Sequence, residues 1–471
     1  MRDSNLFHFY KLIRQRAHYR RLLLGGIVSQ LGDWLSYVAI SSIAVQEGAG
    51  EGAVGVGMAI AGTYLAHSLP NAIASFFVGP IVDRSSRRAL ILLSYAGACL
   101  LTLAIWSQAS GGSLLVIQGL LFCRVLMSNL GMTARQAALP SLVTPDELYL
   151  ANALNSSVWS LLFTLGVALG GILSAFLGPQ EAIFIDAMTY LVSFTLITAL
   201  PQLSPEDRPG QHAVANAPSP DALRSSREVE RKGGDAEHQR EARGERARRG
   251  EQEETPRETR EGEHGAQEYP GRLSAAWRFA RPRAPMWVPL FAKVPVAFFN
   301  SAGWIALNLI AAAKDPAQSG LFIGLFTAAR GLGMGVGPAL LNARKITSPL
   351  PAQWLGLIAL WLFVWADNLW LQLPTLFLWG VGNGVNWVSS TATLQAQTPP
   401  TLLGRMSSLD FFFFTTCQSI ATLGAGLLYD SWGSIPKMLA VVCAVGLAAL
   451  VSLSLLDLRL RAARTEVDEH R

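Results

Sequence analysis

The chain has 471 residues, of which 51% are apolar and 15% are charged. This composition is too apolar for a soluble protein of that length and excludes that class. The net charge of +5 does not indicate a nucleic-acid partner, because 16 of the 38 lysines and arginines lie between Arg208 and Arg283. Blocks of cations beside apolar segments are typical of the cytoplasmic face of membrane proteins.

The apolar residues fall into two groups of six segments, at 22–200 and 285–457. A helix needs about 20 apolar residues to cross the bilayer core, and most segments have about that length. The pattern predicts an all-α polytopic membrane protein with twelve transmembrane helices in two pseudo-symmetric six-helix bundles. The predicted spans, in chain order, are 22–46, 53–80, 89–108, 112–134, 151–177, 181–200, 285–312, 319–343, 352–369, 371–393, 408–431 and 435–457.

Three polar ranges remain: an N-terminal tail at 1–21, a central linker at 201–284 and a C-terminal tail at 458–471. The linker has almost no aromatic or branched apolar residues and alternates Arg with Glu. It cannot bury enough surface to offset the entropy of ordering, so we predict that it is disordered. Near its end, the aromatic and basic residues at 273–283 indicate a short helix in the lipid headgroup layer.

The distribution of cations predicts the orientation of the chain. Of the 38 lysines and arginines, 33 lie in the tails, the linker and the alternate loops on one side of the predicted bundle, whereas two lie in the opposite loops. By the positive-inside rule, both termini and the linker are cytoplasmic. We therefore expect a multi-pass protein of the cell membrane, embedded in the lipid bilayer; the expected oligomeric state is a monomer.

Short matches recur between the two halves at a nearly constant offset. Residues 144–148 match 398–402 at an offset of 254, and residues 78–80 match 336–338 at an offset of 258. Because each match falls in equivalent positions of the two halves, it indicates a duplicated six-helix unit. Membrane proteins built from such repeats bind their substrate between the halves, near the bilayer midplane, and rock one half against the other.

The loop after the second span carries the motif Gly-x-x-x-Asp-Arg-x-x-Arg-Arg, which resembles the signature loop of the major facilitator superfamily between helices 2 and 3. The candidate gating residues are Gly79, Asp83, Arg84, Arg87 and Arg88. The resemblance implies that Asp83 closes the cytoplasmic side against helix 11, near Gly404, in the outward-facing state. Gly79 is expected to permit close backbone approach. Ser86 replaces the usual second glycine, and ordinary positive-inside charge is the alternative account of the arginines.

Further motifs resemble the branch of this superfamily that exports multiple drugs, macrolides and siderophores. They lie at 31–34, 139–143, 151–155, 186–190 and 403–406. The fifth span reads Gly-Val-Ala-Leu-Gly-Gly at 166–171, without the proline that antiporters of the superfamily often carry there. The resemblance implies proton-coupled efflux of bulky amphipathic small molecules by alternating access. The alternatives are a proton-coupled importer of a small organic solute and a transporter-like sensor without transport.

Ionised residues inside spans are costly and therefore indicate function. Asp33 lies about 11 residues into the first span, roughly 17 Å deep at 1.5 Å per residue, and Arg124 lies at a similar depth in the fourth. We predict that Asp33 carries the proton that is the coupling ion of transport, and that Arg124 tunes the proton affinity of Asp33. The alternative is a permanent ion pair that fixes the two spans against each other.

Four other charged residues receive structural predictions. Asp186 is expected near the outer end of the sixth span, where it stabilises a helix start, and Lys293 is expected to extend to the cytoplasmic surface. Asp410 is expected to mark the end of the eleventh span. Arg330, midway along the eighth span, has no acidic partner evident from the sequence; it either attracts anions to the cavity or bonds backbone carbonyl groups.

The resemblance implies that a cavity for a small-molecule substrate lies among the first, seventh and tenth spans. Aromatic and amide side chains there suit bulky, amphipathic ligands. The candidate cavity residues are Trp34, Tyr37, Asn300, Trp304, Asn386 and Trp387. The chain carries no motif for a nucleophile, a metal or a phosphate-binding loop. We therefore expect no enzyme activity, no cofactor and no metal.

Overall fold

The computed structural model of the protein describes residues 2–48, 55–204, 207, 273–344, 349–399 and 402–469. These ranges form fifteen helices, whereas most of the predicted linker lies outside the described residues. The helices are α1 (Arg2–Gln15), α2 (Ala17–Gly48), α3 (Val56–Arg84), α4 (Arg87–Gln108), α5 (Leu114–Leu142), α6 (Pro145–Phe176), α7 (Pro179–Thr198), α8 (Leu273–Ala280), α9 (Ala284–Phe291), α10 (Lys293–Lys314), α11 (Ser319–Arg344), α12 (Leu350–Trp365), α13 (Leu369–Ala396), α14 (Leu403–Trp432) and α15 (Ile435–Glu469).

Each predicted span coincides with a helix, and the seventh is divided into α9 and α10 at Ala292. Within the described ranges, eight helical segments are long and apolar enough to cross a membrane. A ninth is α3, which bends by 55° between Ala74 and Phe77, and the apolar parts of α6 and α12 are shorter. The all-α membrane fold is confirmed, and the predicted count of twelve crossings is consistent with these helices.

The outer surface of the bundle is apolar. Leu115, Phe176 and Trp370 are 77%, 81% and 87% exposed, and soluble proteins rarely leave extended apolar surfaces uncovered. Lipid chains can cover this surface, since the backbone N–H and carbonyl groups pair within each helix.

Local sequence determines where the helices begin and end. Before α6, the backbone N–H of Thr144 donates to the Glu147 carboxylate at 3.0 Å, and Pro145 occupies the first turn, where no backbone donor is needed. The last turn of α14 is followed by Gly433, whose φ of 58° lies in the left-handed region that favours glycine. Short polar or glycine-containing connections therefore separate consecutive apolar helices.

An ion pair outside the apolar spans joins the N-terminal segment to α6. Arg16, between α1 and α2, donates from Nε to Oε2 of Glu147 at 3.0 Å. Partial burial raises the pKa of Glu147, but the hydrogen bonds from Arg16 and Thr144 lower it by more, so the pKa lies below its ordinary value. The carboxylate is therefore charged at neutral pH and holds the α1–α2 junction against the start of α6.

The helices of each half pack mainly on one another. In the N-terminal half, α2 lies against α6 and α7, and α4 lies against α5 and α7. In the C-terminal half, α11 and α12 lie against α13, and α10 lies against α14 and α15. We call the end of the molecule that carries Arg84, Arg87, Arg88 and Arg405 the basic end, and the end that carries residues 109–113 and 177–179 the opposite end.

Two helix pairs, α6 with α11 and α3 with α14, join the halves toward the opposite end. A Cβ atom at Gly171 would lie 2.9 Å from Cα of Gly324, and one at Gly57 would lie 2.5 Å from the carbonyl oxygen of Gly426. Glycine is therefore required for backbone approach in both pairs. Exchanging the halves converts one pair into the other, because α6 corresponds to α14 and α3 to α11, as a duplicated unit requires.

A short helix, α8, lies where the basic and aromatic residues at 273–283 predict one. The Trp277 ring packs edge-on against Phe413 of α14, with centroids 6.1 Å apart. Ala276 and Ala280 on the same helix are buried. These contacts hold α8 against the basic end of the C-terminal half.

Candidate functional site

A buried ion pair joins α5 to α7 in the N-terminal half. Arg124 Nη1 lies 2.5 Å from Asp186 Oδ2, and neither side chain is exposed. The same nitrogen donates to Ser36 Oγ of α2 at 2.7 Å. The prediction that Asp186 stabilises an outer helix end is wrong, because Asp186 lies seven residues inside α7, about 10 Å along its axis, and is the closest partner of Arg124.

Asp33 is the accessible member of this cluster. Its Oδ1 lies 3.5 Å from Nη2 of Arg124, and its side chain is 23% exposed. The Tyr190 hydroxyl donates to the same oxygen at 2.5 Å. The contact of Asp33 with Arg124 is thus present but looser than that of Asp186. A proton could neutralise Asp33 while Arg124 keeps Asp186 as its counter-charge.

Gly32 allows the cluster to assemble. A Cβ atom at this position would lie 2.3 Å from Asp186 Oδ1 and 2.1 Å from Thr189 Oγ1. A larger residue would therefore push α2 away from α7. The close approach places the next residue, Asp33, within reach of Tyr190, so the motif at 31–34 has a direct packing role.

Aromatic side chains from both halves meet one turn beyond Asp33. The Tyr37 ring of α2 stacks on Trp304 of α10 with centroids 5.4 Å apart, and Tyr64 of α3 lies 5.7 Å from the same indole. Tyr37 and Trp304 are only 3% and 5% exposed. This aromatic layer therefore closes the space between the halves on the side of the opposite end.

A cleft with a cavity volume of about 100 Å³, which opens to the outside, lies on the basic-end side of this layer. Its walls come from α6, α11 and α13 and are mostly apolar. The lining residues are Trp159, Phe163, Gly331, Met334, Gly335, Pro338, Gly384, Trp387 and Val388. Such a lining suits flat or bulky apolar ligands.

The six predicted cavity residues have different positions. Trp387 lines the cleft and is 37% exposed, and Trp34 packs against the lining residue Phe163 with centroids 4.8 Å apart. Tyr37 and Trp304 form the aromatic layer described above. The prediction for Asn386 is wrong: its side chain is fully buried and accepts a hydrogen bond from Gln353 at 2.7 Å, between α12 and α13.

Asn300, the sixth predicted cavity residue, belongs to a polar group in the C-terminal half. Its Oδ1 accepts hydrogen bonds from Nη2 of Arg330 at 3.1 Å and from Nδ2 of Asn383 at 2.8 Å. The Arg330 guanidinium also lies over the Trp379 ring, 4.3 Å from its centroid. In the described structure, Arg330 thus bonds a side-chain amide rather than the backbone carbonyls that were one alternative.

A second buried ion pair, between Lys293 and Asp410, joins α10 to α14. Lys293 also donates to Thr391 at 2.9 Å and lies 4.5 Å from the centre of the Trp387 ring. The two side chains are about 5% and 7% exposed. The predictions that Lys293 extends to the surface and that Asp410 is an end residue are both wrong, because each neutralises the other inside the bundle.

In the described ranges, no group of three or more His, Cys, Asp or Glu side chains could hold a metal ion.

The gating residues lie at the junction of α3 and α4, at the basic end. Arg88 Nη2 donates to the carbonyl of Thr198 at 2.6 Å, which ties the junction to the end of α7. Asp83 and Arg84 are exposed. A Cβ atom at Gly79 would meet nothing within 4 Å, so the predicted close backbone approach at Gly79 is absent from this conformation.

Two helical halves around a cleft, with buried charges beside it, are typical of secondary transporters. The family model described as Major Facilitator Superfamily matches residues 22–422. The chain belongs to the major facilitator superfamily. In this major facilitator protein, the matched range includes all the candidate site residues, from Asp33 to Trp387.

The chain is also similar to known transporters, in part of its sequence and in its fold. A stretch of 186 residues is 28% identical to the multidrug efflux pump Tap of Mycobacterium tuberculosis; the match covers 38% of this chain and 43% of Tap, less than half of the relative's length. Among solved structures, a peptide transporter POT in complex with sulfate has a TM-score of 0.61 at 12% identity, covering 93% of both chains. The nucleoside transporter NupG has a TM-score of 0.61 at 9% identity, covering 93% of this chain and 98% of that chain. At these identities, the structural likeness is one of fold alone.

Proposed function

We propose that this protein is a proton-coupled secondary transporter that exports bulky amphipathic small molecules by alternating access. Membership of the major facilitator superfamily supports transport, and the similarity to a multidrug efflux pump supports export of drug-like molecules. The observation that carries proton coupling is the arrangement of Asp33, which is partly exposed beside a cation that already has a closer, fully buried carboxylate partner.

Protonation of Asp33 changes the charge of the cluster without dismantling it. With both carboxylates ionised, Asp33, Asp186 and Arg124 together carry one net negative charge, which is costly to move through an apolar layer. A proton on Asp33 makes the cluster neutral and leaves the 2.5 Å contact between Arg124 and Asp186 in place. We propose that Asp33 takes up this proton when the cleft faces outside and releases it when the cleft faces the cytoplasm.

The positive-inside rule supports a cytoplasmic location for the basic end. The cleft lies toward that end, and the glycine contacts join the halves toward the other, so the conformation described here corresponds to an inward-facing state. In the outward-facing state we expect the basic end to close, with Asp83 brought near Gly404 of α14. Export then follows when substrate bound from the inside is exposed to the outside.

The test uses purified protein in liposomes with an imposed pH gradient and three fluorescent amphipathic probes. These are N-dansyl-phenylalanine, its amide and N-dansyl-ethylenediamine, which are anionic, neutral and cationic at neutral pH. We expect gradient-driven transport of at least one probe by the wild type. Asp33→Asn should lower it at least tenfold, because an amide cannot take up and release the proton.

The matched control is Asp146→Asn, which removes an exposed carboxylate in the first turn of α6. This variant should transport at the wild-type rate. Gradient-driven transport by Asp33→Asn at the wild-type rate, or no transport of any probe by the wild type, would contradict the proposal. The direction is tested in cells lacking their own pumps, where expression should lower probe accumulation and an uncoupler should restore it; a rise on expression would indicate import.

A further inference from the structure

Arg330 is a cation without a carboxylate partner in the part of the chain that the structure describes. Its polar contacts are one hydrogen bond to Asn300 and the face of the Trp379 ring. Its Nε is buried and has no hydrogen-bond partner among the described residues. An arginine midway along a transmembrane helix costs several kcal/mol unless its charge is compensated, and an amide and an aromatic ring compensate it only in part.

The guanidinium lies where the two halves face each other. A Cβ atom at the next residue, Gly331, would lie 2.8 Å from Thr164 Oγ1 of α6 in the N-terminal half, and Gly331 lines the cleft. Arg330 and Asn300 are each only partly buried, although both lie in the middle of helices. Because this part of α11 packs on α6 of the other half at Gly331, we take the exposed atoms of both side chains to face the internal space between the halves.

The hydrogen bonds around Arg330 and Asn300 leave N–H donors, and not acceptors, available for a ligand. Asn300 Oδ1 is occupied by Arg330 and Asn383, which orients the NH₂ group of Asn300 away from both. In the described structure neither this NH₂ group nor Nη1 of Arg330 donates to another residue, and neither atom is among the buried unpaired ones. A fixed cation with adjacent N–H donors is the arrangement that recognises carboxylate or phosphate oxygens.

We infer that Arg330 and Asn300, held in place by Asn383 and Trp379, form an anion subsite next to the cleft, beside the lining residue Gly331. Transported molecules would therefore carry a carboxylate or a similar anionic group on a bulky aromatic or apolar body. The anionic group binds Arg330, and the body lies against the aromatic residues that line the cleft. This inference rests on the proposed transport function, since it names the class of substrate that the same cleft accepts.

The experiment compares N-dansyl-phenylalanine with its amide, which differ only in the anionic group. Binding to the purified wild-type protein is measured by dansyl fluorescence and by ligand-induced thermal stabilisation. We expect the acid to bind at least tenfold more tightly than the amide, the range of a charge-assisted hydrogen bond. Arg330→Gln should abolish this preference without weakening amide binding, and Arg330→Lys should keep part of it because the charge remains.

Thermal unfolding without ligand shows whether each variant is folded. If Arg330→Gln does not fold, Arg330→Lys tests the same prediction. Equal binding of acid and amide by the wild type, no measurable binding of the acid, or an equal loss of both probes in a folded variant would overturn the anion subsite. Transport of the neutral or cationic probe in the liposome assay would still support the proposed function. Failure of the subsite and failure of the transporter proposal are therefore distinguishable.

Discussion

Two carboxylates contact Arg124, and they differ in distance and in exposure. Asp186 lies 2.5 Å away with no exposed side-chain surface, whereas Asp33 lies 3.5 Å away and is 23% exposed. Arg124 Nε and Nη2 have no hydrogen-bond partner within the described residues. The bonds of Arg124 to Asp186 and Ser36 therefore provide much of the stabilisation of its buried positive charge. The physical roles of the carboxylates should differ accordingly, with Asp186 maintaining the fold and Asp33 titrating.

This difference predicts opposite effects of two conservative substitutions. Asp186→Asn should destabilise the protein by about 3 kcal/mol or more, because it leaves the buried Arg124 without its closest counter-charge. Asp33→Asn should cost less than about 1 kcal/mol, since the residue is partly exposed and the neighbouring pair remains. Thermal unfolding of the detergent-solubilised variants shows which of the two substitutions lowers the stability more.

The control for this pair is Asp146→Asn, which should unfold as the wild type does. If Asp33→Asn proved as destabilising as Asp186→Asn, Asp33 would be a structural member of the ion cluster. The reading of Asp33 as a proton carrier would then lose its basis, because a carboxylate that must stay charged to hold the fold cannot titrate freely.

Among the elements, α3 and α14 form a contact that would break in each cycle of the proposed alternating access. Asp430, near the end of α14, accepts the backbone N–H groups of Gly57 and Met58 at 2.7 and 2.9 Å. These are unpaired donors of the first turn of α3, and the positive end of the helix dipole favours a carboxylate there. The contact joins residues 373 positions apart in the chain and stabilises closure at the opposite end.

Asp430→Ala should therefore shift the protein toward the state that is open at the opposite end. A hydrogen bond to a charged group contributes about 1.5 kcal/mol or more, and screening reduces this because Asp430 is exposed, so losing both bonds corresponds to at least about a tenfold change in population. The measurement is the rate at which a soluble maleimide labels Ser42→Cys, a position that is 2% exposed in this conformation, in a background without the four native cysteines. We expect Asp430→Ala to raise the rate severalfold.

Glu181→Ala is the matched control, because Glu181 is an exposed carboxylate at the same end within the first turn of α7. It should leave the labelling rate unchanged. An unchanged rate in Asp430→Ala would mean that the glycine contacts between the helix pairs suffice to hold this end closed. A similar rise in both variants would point to surface charge rather than to the bonds with Gly57 and Met58.

The elements themselves were predictable from the sequence, but their rotations about the helix axes were not. The positions of the spans follow from runs of apolar residues, and the structure has a helix at each of them. Helices such as α7 are apolar on all sides, so the pattern does not show which face points inward. The resemblance likewise identifies α13 as a cavity-lining helix but does not show that Asn386 on it faces Gln353.

The depths of the charged residues along their helices indicate which of them pair. Arg124 and Asp186 lie ten and seven residues from the opposite-end starts of α5 and α7, so counting both from one end places them within about 5 Å in depth. Lys293 and Asp410 lie within seven residues of the basic-end starts of α10 and α14. Depth could thus have suggested both pairs, whereas the looseness of the Asp33 contact depends on packing at Gly32.

For the molecule as a whole, the proposed mechanism of alternating access requires a second conformation besides the present one. The halves meet through glycine contacts toward the opposite end, and the gating residues at the basic end are exposed or bound within their own half. The open space at Gly79 is consistent with this arrangement, since another helix needs to approach Gly79 closely only when the basic end closes. The molecule should therefore stop transporting if the opposite end cannot open.

A disulfide across the halves tests this requirement directly. A Cβ atom at Gly320 of α11 would lie 3.5 Å from Cβ of Ser42 of α2, within the range of disulfide geometry. The pair Ser42→Cys and Gly320→Cys, with Ser174→Gly to relieve a 2.9 Å contact at Gly320, should cross-link on mild oxidation in a background without native cysteines. Oxidation should abolish probe transport in liposomes and a reductant should restore it, while each single-cysteine variant stays active throughout. Transport at the reduced rate by a fully cross-linked protein would show that the halves need not separate at this end, and the rocking mechanism would have to be abandoned.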